Sequence, residues 1–261
     1  MRLTCCEKKE TTMRNFLKLL SLSLAAVLVA SPLWSAPGGK KIKVLIVTGH
    51  DVGAHNWRAT TPVERANLEK TGRFEVRVCE DYGIFESSAI NKYDVIVLNY
   101  GFWHVPDPPP HAKKNLLDFV RNGKGLVGLH FSSSSFQSWR EYGDLLGRRW
   151  VRGVSGHGPR LTFTVKITKP DHPIMKGISD FQVNDELYSK LQGDVPITVL
   201  ASAYSDFSKK VEPLIFVLKY GKGRVARNVL GHDAAVRKNP NYQRIVARQV
   251  EWAATGKVTL P

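Results

Sequence analysis

Cysteine is the scarcest informative residue in this 261-residue chain, with three in all. Two of them, Cys5 and Cys6, precede Met13, which reads as the true start because the polar segment before it adds nothing the following hydrophobic run needs. Cys79 is then left alone, which excludes an internal disulfide. It closes the alternation Phe74, Val76, Val78, so it reads as a small buried hydrophobe and not as a thiol nucleophile. There is no H-E-x-x-H pair, no G-x-S-x-G or G-x-C-x-G nucleophile turn, no internal repeat and no nucleic-acid motif. Acidic residues are few, 23 against 38 basic, for a net charge of +15. The basic residues are scattered, which describes a solvated surface more than a nucleic-acid footprint.

Long hydrophobic runs are also scarce. The one at the amino end, Phe16 to Ala30, has Arg14 and Lys18 at its start and leads through Ser31 and Pro32 to Ala36. Such n-, h- and c-regions make residues 1–36 a secretory signal, too short for a comfortable membrane span. Ala30 and Ala36 both offer a small residue for cleavage, and the competing reading is an uncleaved anchor. The expectation is an exported, periplasmic or extracellular protein with no integral membrane span after cleavage. Residues 37–261 form a single domain of ordinary size for one core. Without the leader, which carries five basic and two acidic side chains, the charge is +12.

The stretch around which this domain is organised is Gly123 to Phe136, G-K-G-L-V-G-L-H-F-S-S-S-S-F. Leu126, Val127 and Leu129 supply the buried run of a strand that stops at His130, and the serines read as the opening of a helix. Strands are also expected at Lys41–Thr48, Phe74–Cys79 and Tyr93–Leu98, with helices at Pro62–Lys70, capped by Thr60 or Thr61, and His111–Arg121. Strand, helix, strand, helix with short turns predicts a parallel, doubly wound sheet. Beyond it come a helix at Trp139–Leu146, strands at Leu161–Thr168, Ile197–Tyr204, Leu214–Leu218 and Arg224–Leu230, a hairpin turn at Y-G-K-G (220–223), and a last helix at Asn241–Ala254.

Ligands in open α/β sheets collect beyond the carboxyl ends of the strands. Histidines recur there: His50 and His55 after the first strand, His104 after the third, His130 after the fourth and His232 after the last. His157 sits in a glycine-flanked S-G-H-G loop, and of the adjacent acids Asp185 and Glu186 at least one should point inward. Several imidazoles with a carboxylate suit a divalent metal, zinc first, or acid–base work near neutral pH. No nucleotide cofactor is expected. His111 at a helix start and His172 in a D-H-P turn read as surface residues. A serine nucleophile among Ser132 to Ser135 is disfavoured, since helix capping explains those serines. Trp57, Trp103 and Trp139 fall near the rim of the expected cleft, where an aromatic face stacks on a sugar ring, although core packing is the commoner role.

The segments V-T-G-H-D-V-G-A-H-N-W (47–57), G-K-G-L-V-G-L-H-F (123–131), D-H-P-I (171–174), N-D-E-L-Y (184–188) and Y-G-K-G-R-V with L-G-H-D (220–233), taken with the Trp139–Gly147 helix, resemble the ThuA-like family, named after trehalose utilisation. The resemblance implies a flavodoxin-like three-layer α/β sandwich with a mostly parallel central sheet. It is the fold of class I glutamine amidotransferases, without their cysteine: His130 stands in the matching turn. It also implies carbohydrate utilisation, including metabolism of 3-keto sugars, with a small-molecule carbohydrate as partner. The resulting expectation is a lyase or hydrolase on a sugar or keto-sugar glycoside. His130 or His232 is its catalytic base, His55, His157 and Glu186 its metal ligands or oxyanion partners, and Trp57, Trp103, Trp139 and Asp185 its substrate contacts. The alternative is a carbohydrate-binding module without turnover. The four-serine run and Pro108–Pro110 depart from a typical member and bear on the cleft rim, not on the fold.

Overall fold

The computed structural model describes residues 40–261, so the leader expected at residues 1–36 lies outside the described residues. Three strands form the floor: β1 (Ile42–Val47), β3 (Val95–Leu98) and β4 (Gly125–Leu129). Apart from Lys43 their side chains are apolar and almost wholly buried, as strands covered on both faces require. β2 (Phe74–Cys79) alternates buried and exposed residues and lies at the sheet's edge. With β9 (Gly223–Asn228) they run in parallel in the order β2-β1-β3-β4-β9, the flavodoxin order for the first four.

Two glycines of β4 show what covers each face. A Cβ on Gly125 would fall 2.6 Å from the backbone of Ala253, so helix α5 (Pro240–Thr255) lies directly on that face. Gly128, an odd number of positions along and so on the opposite face, makes room instead for the Arg227 guanidinium. Arg227 donates to Ser132 Oγ, and Tyr142 of helix α3 (Arg140–Leu146) donates to the Ser132 carbonyl, so α3 packs on this second face. Helices α1 (Trp57–Glu69) and α2 (Pro110–Arg121) and the short α4 (Ala234–Arg237) complete the layers.

The expected mostly parallel sheet is corrected. Four of its eight strand pairings are antiparallel, through β8 (Lys210–Tyr220), β7 (Thr198–Ser205), β5 (Leu161–Ile167) and β6 (Phe181–Asp185), and they include the longest strands. For the β7–β8 and β8–β9 hairpins the cause is chain length between strands. A parallel return needs a crossover of a dozen or more residues, whereas only Gly221 and Lys222 join β8 to β9. Two local expectations also change. Helix α1 begins at Trp57, where the Asn56 side chain accepts the Ala59 N–H, so Thr60 and Thr61 lie inside the helix and Pro62 sits in its second turn. Ser132–Ser135 open no helix. His130–Ser134 form a buried 3-10 turn whose hydroxyls go to nearby carbonyls, and α3 starts only at Arg140. Among the described residues no helix is long and apolar enough to cross a membrane.

Candidate functional site

The loop leaving β1 folds back on itself, His55 N–H donating to the Val52 carbonyl at 2.9 Å, just before Asn56 starts α1. This places the His55 ring over Phe131, centroids 3.7 Å apart and nearly parallel. Phe131 reaches that position because Gly101 has no side chain; a Cβ there would fall 1.7 Å from the Phe131 ring. His130 is the first residue past β4 and adopts φ +33°, a left-handed conformation unusual for a non-glycine residue. Strain of that kind persists where surroundings over-determine it, as at functional turns. Here the neighbouring strand does so: His130 Nδ1–H donates to the Val229 carbonyl at 2.7 Å, fixing the tautomer with the Nε2 lone pair facing outward.

Glu186 follows β6 and His232 follows β9, and Asp185 ties them together. Asp185 is fully buried and accepts the backbone N–H groups of Gly231 at 2.7 Å, His232 at 3.2 Å and Glu186 at 2.9 Å. From the other side Arg237, itself paired with buried Glu64, donates to the Gly231 carbonyl at 3.0 Å. The turn that carries His232 is thus held from both directions.

Four ligand-type atoms converge: Nε2 of His55, Nε2 of His130, Oε2 of Glu186 and Nδ1 of His232, all within 4.8 Å of one another. His55 and His130 are 3.2 Å apart, and Glu186 Oε2 lies 3.9, 3.7 and 3.1 Å from His55, His130 and His232. Tetrahedral zinc with bonds of roughly 2.0–2.1 Å separates its ligands by about 3.3–3.4 Å. The observed spacings bracket that value. Glu186 Oε2 and His232 Nδ1 are buried without a hydrogen bond of good geometry, which a shared cation would satisfy. His157 Nε2 approaches Glu186 Oε2 at 3.7 Å from the rim, its Nδ1–H donated to the Gly158 carbonyl.

Two of the four protonation states, those of His55 and Glu186, suit a cation site. Burial first, then repulsion from His130 and His232, pushes His55 down to about 2, so its ring is neutral. Burial alone would raise Glu186, but contacts with His130 and His232 outweigh it and hold the carboxylate well below its usual range. The same carboxylate raises His232 above the ordinary histidine value.

Five expected residues therefore share one place: His55, His130, Glu186 and His232 in the cluster and His157 at its rim. Others do not join them. His50 and His104 are exposed, His50 beside Phe102 and His104 bonded to Arg152. His111 pairs with exposed Glu86, and His172 packs edge-on against Trp252. Two substrate assignments are corrected. Trp139 is 3% exposed among Phe136 and Tyr142, and Asp185 spends both oxygens on backbone N–H groups. Trp57 lines a small pocket beside His55 and His130, where strand order reverses about β1, and Trp103 stands near Phe131 with the Arg152 guanidinium 4.3 Å from its ring centre. Sequence reasoning passed over Tyr188, whose hydroxyl is 3.0 Å from His55 Nε2 and whose burial keeps it protonated. Its signal was its place two residues beyond Glu186.

The model of the ThuA family, described as trehalose utilisation, matches residues 43–253. A ThuA-like protein from Parabacteroides merdae superposes with TM-score 0.75 at 28% identity, covering 85% of this chain and 93% of its own. A ThuA-like protein from Bacteroides uniformis gives 0.65 at 19% identity, covering 86% and 98%. The β-galactosidase of Rahnella sp. R3 shares the fold over 82% of this chain and 32% of its own, with TM-score 0.56 at 15% identity. No match to a curated protein was found.

Proposed function

The chain belongs to the ThuA, trehalose utilisation, family, and on that footing we propose that it is an exported enzyme of carbohydrate utilisation. It acts on a sugar or keto-sugar glycoside, by lyase or hydrolase chemistry, at a divalent metal held by His55, His130, Glu186 and His232. The observation that carries this reading is the convergence of four ligand atoms from four separate segments onto one point. A bound zinc ion supplies a Lewis acid for a substrate oxygen and lowers the pKa of a coordinated water.

The side chains divide the remaining work. Neutral His55 and ionised Glu186 offer lone pairs without first losing a proton. His130 is aimed by the Val229 carbonyl, and His232 by the Asp185-bound turn that carries it. A ring that ligates cannot also take a proton through the same nitrogen, so the base moves from His130 and His232 to His157. Its Nδ1–H is committed to Gly158, leaving Nε2 to accept a proton adjacent to a substrate carbonyl. The Tyr188 hydroxyl, 3.0 Å from His55 Nε2, would be released once that nitrogen ligates and could then donate to the oxygen that gains charge. Phe131 and Trp103 form an aromatic wall beside the cluster.

The test is turnover of a keto-disaccharide, followed as released monosaccharide, by zinc-loaded protein. Chelation should abolish it, zinc should restore it, and His157→Ala should lower kcat while zinc stays bound. A wild type that binds sugar, with or without zinc, and never turns it over would make the domain a binding module.

A further inference from the structure

The large apolar side chains left exposed among the described residues gather in one region: Val154, Leu161, Tyr204, Phe207 and Val211, with Tyr204 57% and Val211 64% exposed. Tyr204 and Val211 are register partners across β7 and β8, and Phe207 lies in the turn between those strands. The Phe207 ring packs where a Cβ on Gly156 would sit, two residues from Val154. Leu161, Tyr204 and Phe207 line one groove of about 220 Å³ with Leu187 at its base. The groove exists because β5 and β7 pair only through Lys166–Ser202 and Ile167–Ala201, so the amino-terminal part of β5, Leu161–Val165, pairs with β6 alone and stands apart from β7.

This groove adjoins the His/Glu cluster. Its wall residue Gly158 directly follows His157, and Leu187 directly follows Glu186. Taking roughly 150–250 Å² for each fully exposed large side chain, five at about half exposure present about 400–600 Å². That is short of the ~800 Å² each partner of a stable dimer buries. It suits a small ligand with an apolar face and a polar edge. Aromatic rings at 204 and 207 would meet the face, and the exposed carboxylate of Asp206 would meet the edge. A pyranose ring has that make-up, its C–H face apolar and its rim of hydroxyls.

We propose that the groove between β5 and the β7–β8 hairpin is a saccharide subsite, seating a sugar ring next to the one held at the His/Glu cluster. The inference rests on the carbohydrate reading above and deepens it, since it makes the substrate a disaccharide or longer.

Calorimetric titration of zinc-loaded protein with trehalose and with glucose tests it, comparing wild type with a Tyr204→Ala/Phe207→Leu double variant. Leucine at 207 keeps the apolar packing on the Gly156 loop and removes only the ring face. Trehalose affinity should fall at least tenfold, glucose affinity should change less than twofold, and zinc affinity should stay as in wild type. Tyr204→Trp should keep trehalose affinity and shift its emission on binding. Equal trehalose affinity in wild type and double variant overturns the subsite while leaving the functional reading intact. So does a wild-type dimer that the double variant breaks into monomers, which would make the patch a self-interface. Wild type that binds neither sugar removes the carbohydrate reading and the subsite together.

Discussion

Asp185→Asn is the most informative single change in this domain, because Asp185 touches no substrate and yet sets two ligands. Its carboxylate accepts three buried N–H groups, at 2.7, 3.2 and 2.9 Å, from Gly231, His232 and Glu186. Alanine would leave all three donors without partners, at about 1–3 kcal/mol each. The total, about 3–6 kcal/mol once neighbours relax, rivals the whole stability of a marginal domain, roughly 5–15 kcal/mol. Asparagine keeps the volume and one acceptor but turns an amide NH₂ toward an N–H donor, so about 2–3 kcal/mol should be lost and the fold retained. The Gly231 turn stays anchored through Arg237 and Glu64, so His232 is displaced but not released. Loss of a group that orients ligands typically weakens metal binding 10–100-fold. Urea unfolding of the metal-free protein and competitive zinc titration give the two numbers separately. If Asp185→Asn binds zinc within twofold of wild type, the Asp185 contacts do not govern the geometry of the cluster and the argument from them fails.

Three further outcomes are expected. His55→Ala, Glu186→Gln and His232→Ala should each reduce bound zinc below one equivalent by elemental analysis, and EDTA should lower the wild-type Tm by an amount that disappears in these variants, since a ligand at 100 times its Kd adds about 2.7 kcal/mol. At His130, where φ is +33°, glycine should give a metal-free protein more stable than alanine by about 1 kcal/mol in urea unfolding, because alanine inherits the strain and glycine does not. Glu251 accepts from Arg73, from the Thr259 hydroxyl and from the Thr259 and Leu260 amides; burial opposes its ionisation, but those donors together hold it below the usual carboxylate range. A lowered folded pKa stabilises above the ordinary value of 4.5 and ceases to as pH falls through the folded value, so Glu251→Gln should be destabilised at pH 7 and approach wild type in acid.

What could be read from the sequence follows from how local each signal is. β1, β3 and β4 are apolar runs broken only by Lys43, and no other short structure buries I-K-V-L-I-V or G-L-V-G-L on both sides. Histidines just past strand ends were legible for the same reason, since the end of a buried strand is a fixed address. His50 and His55 share such an address, and only the fold-back at Val52 decides that His55 faces inward. Asp185 and Glu186 are neighbours, so their roles turn on which is the last residue of β6, a matter of one position. The serine run misled because a row of hydroxyls caps a helix in most settings, whereas here a 3-10 turn buries them over Arg227. Trp139 misled because an indole at a predicted helix start carries no sign of which side it faces. The antiparallel half was partly visible in the Y-G-K-G turn, but the doubly wound pattern of the first 130 residues was extended past the point where its helices stop.

The placement of the cluster has a consequence for how it forms. His55 and His130 come from the parallel half, Glu186 and Tyr188 from the end of β6 at the far edge of the antiparallel half, and His232 from the end of β9. Among the described residues β9 is the only strand that belongs to both, parallel to β4 and antiparallel to β8. Its pairing of Asn228 with Leu129 is what sets the Val229 carbonyl beside His130. A slip of one residue there would turn every β9 side chain to the other face and carry His232 away from Glu186. Without β9 the parallel half offers only the two nitrogens of His55 and His130 and the antiparallel half only Glu186, where a structural or catalytic zinc takes at least three protein ligands. High-affinity metal binding would therefore require the seam at β4–β9 to be closed, and a bound cation would stabilise the junction of the two halves more than either half alone.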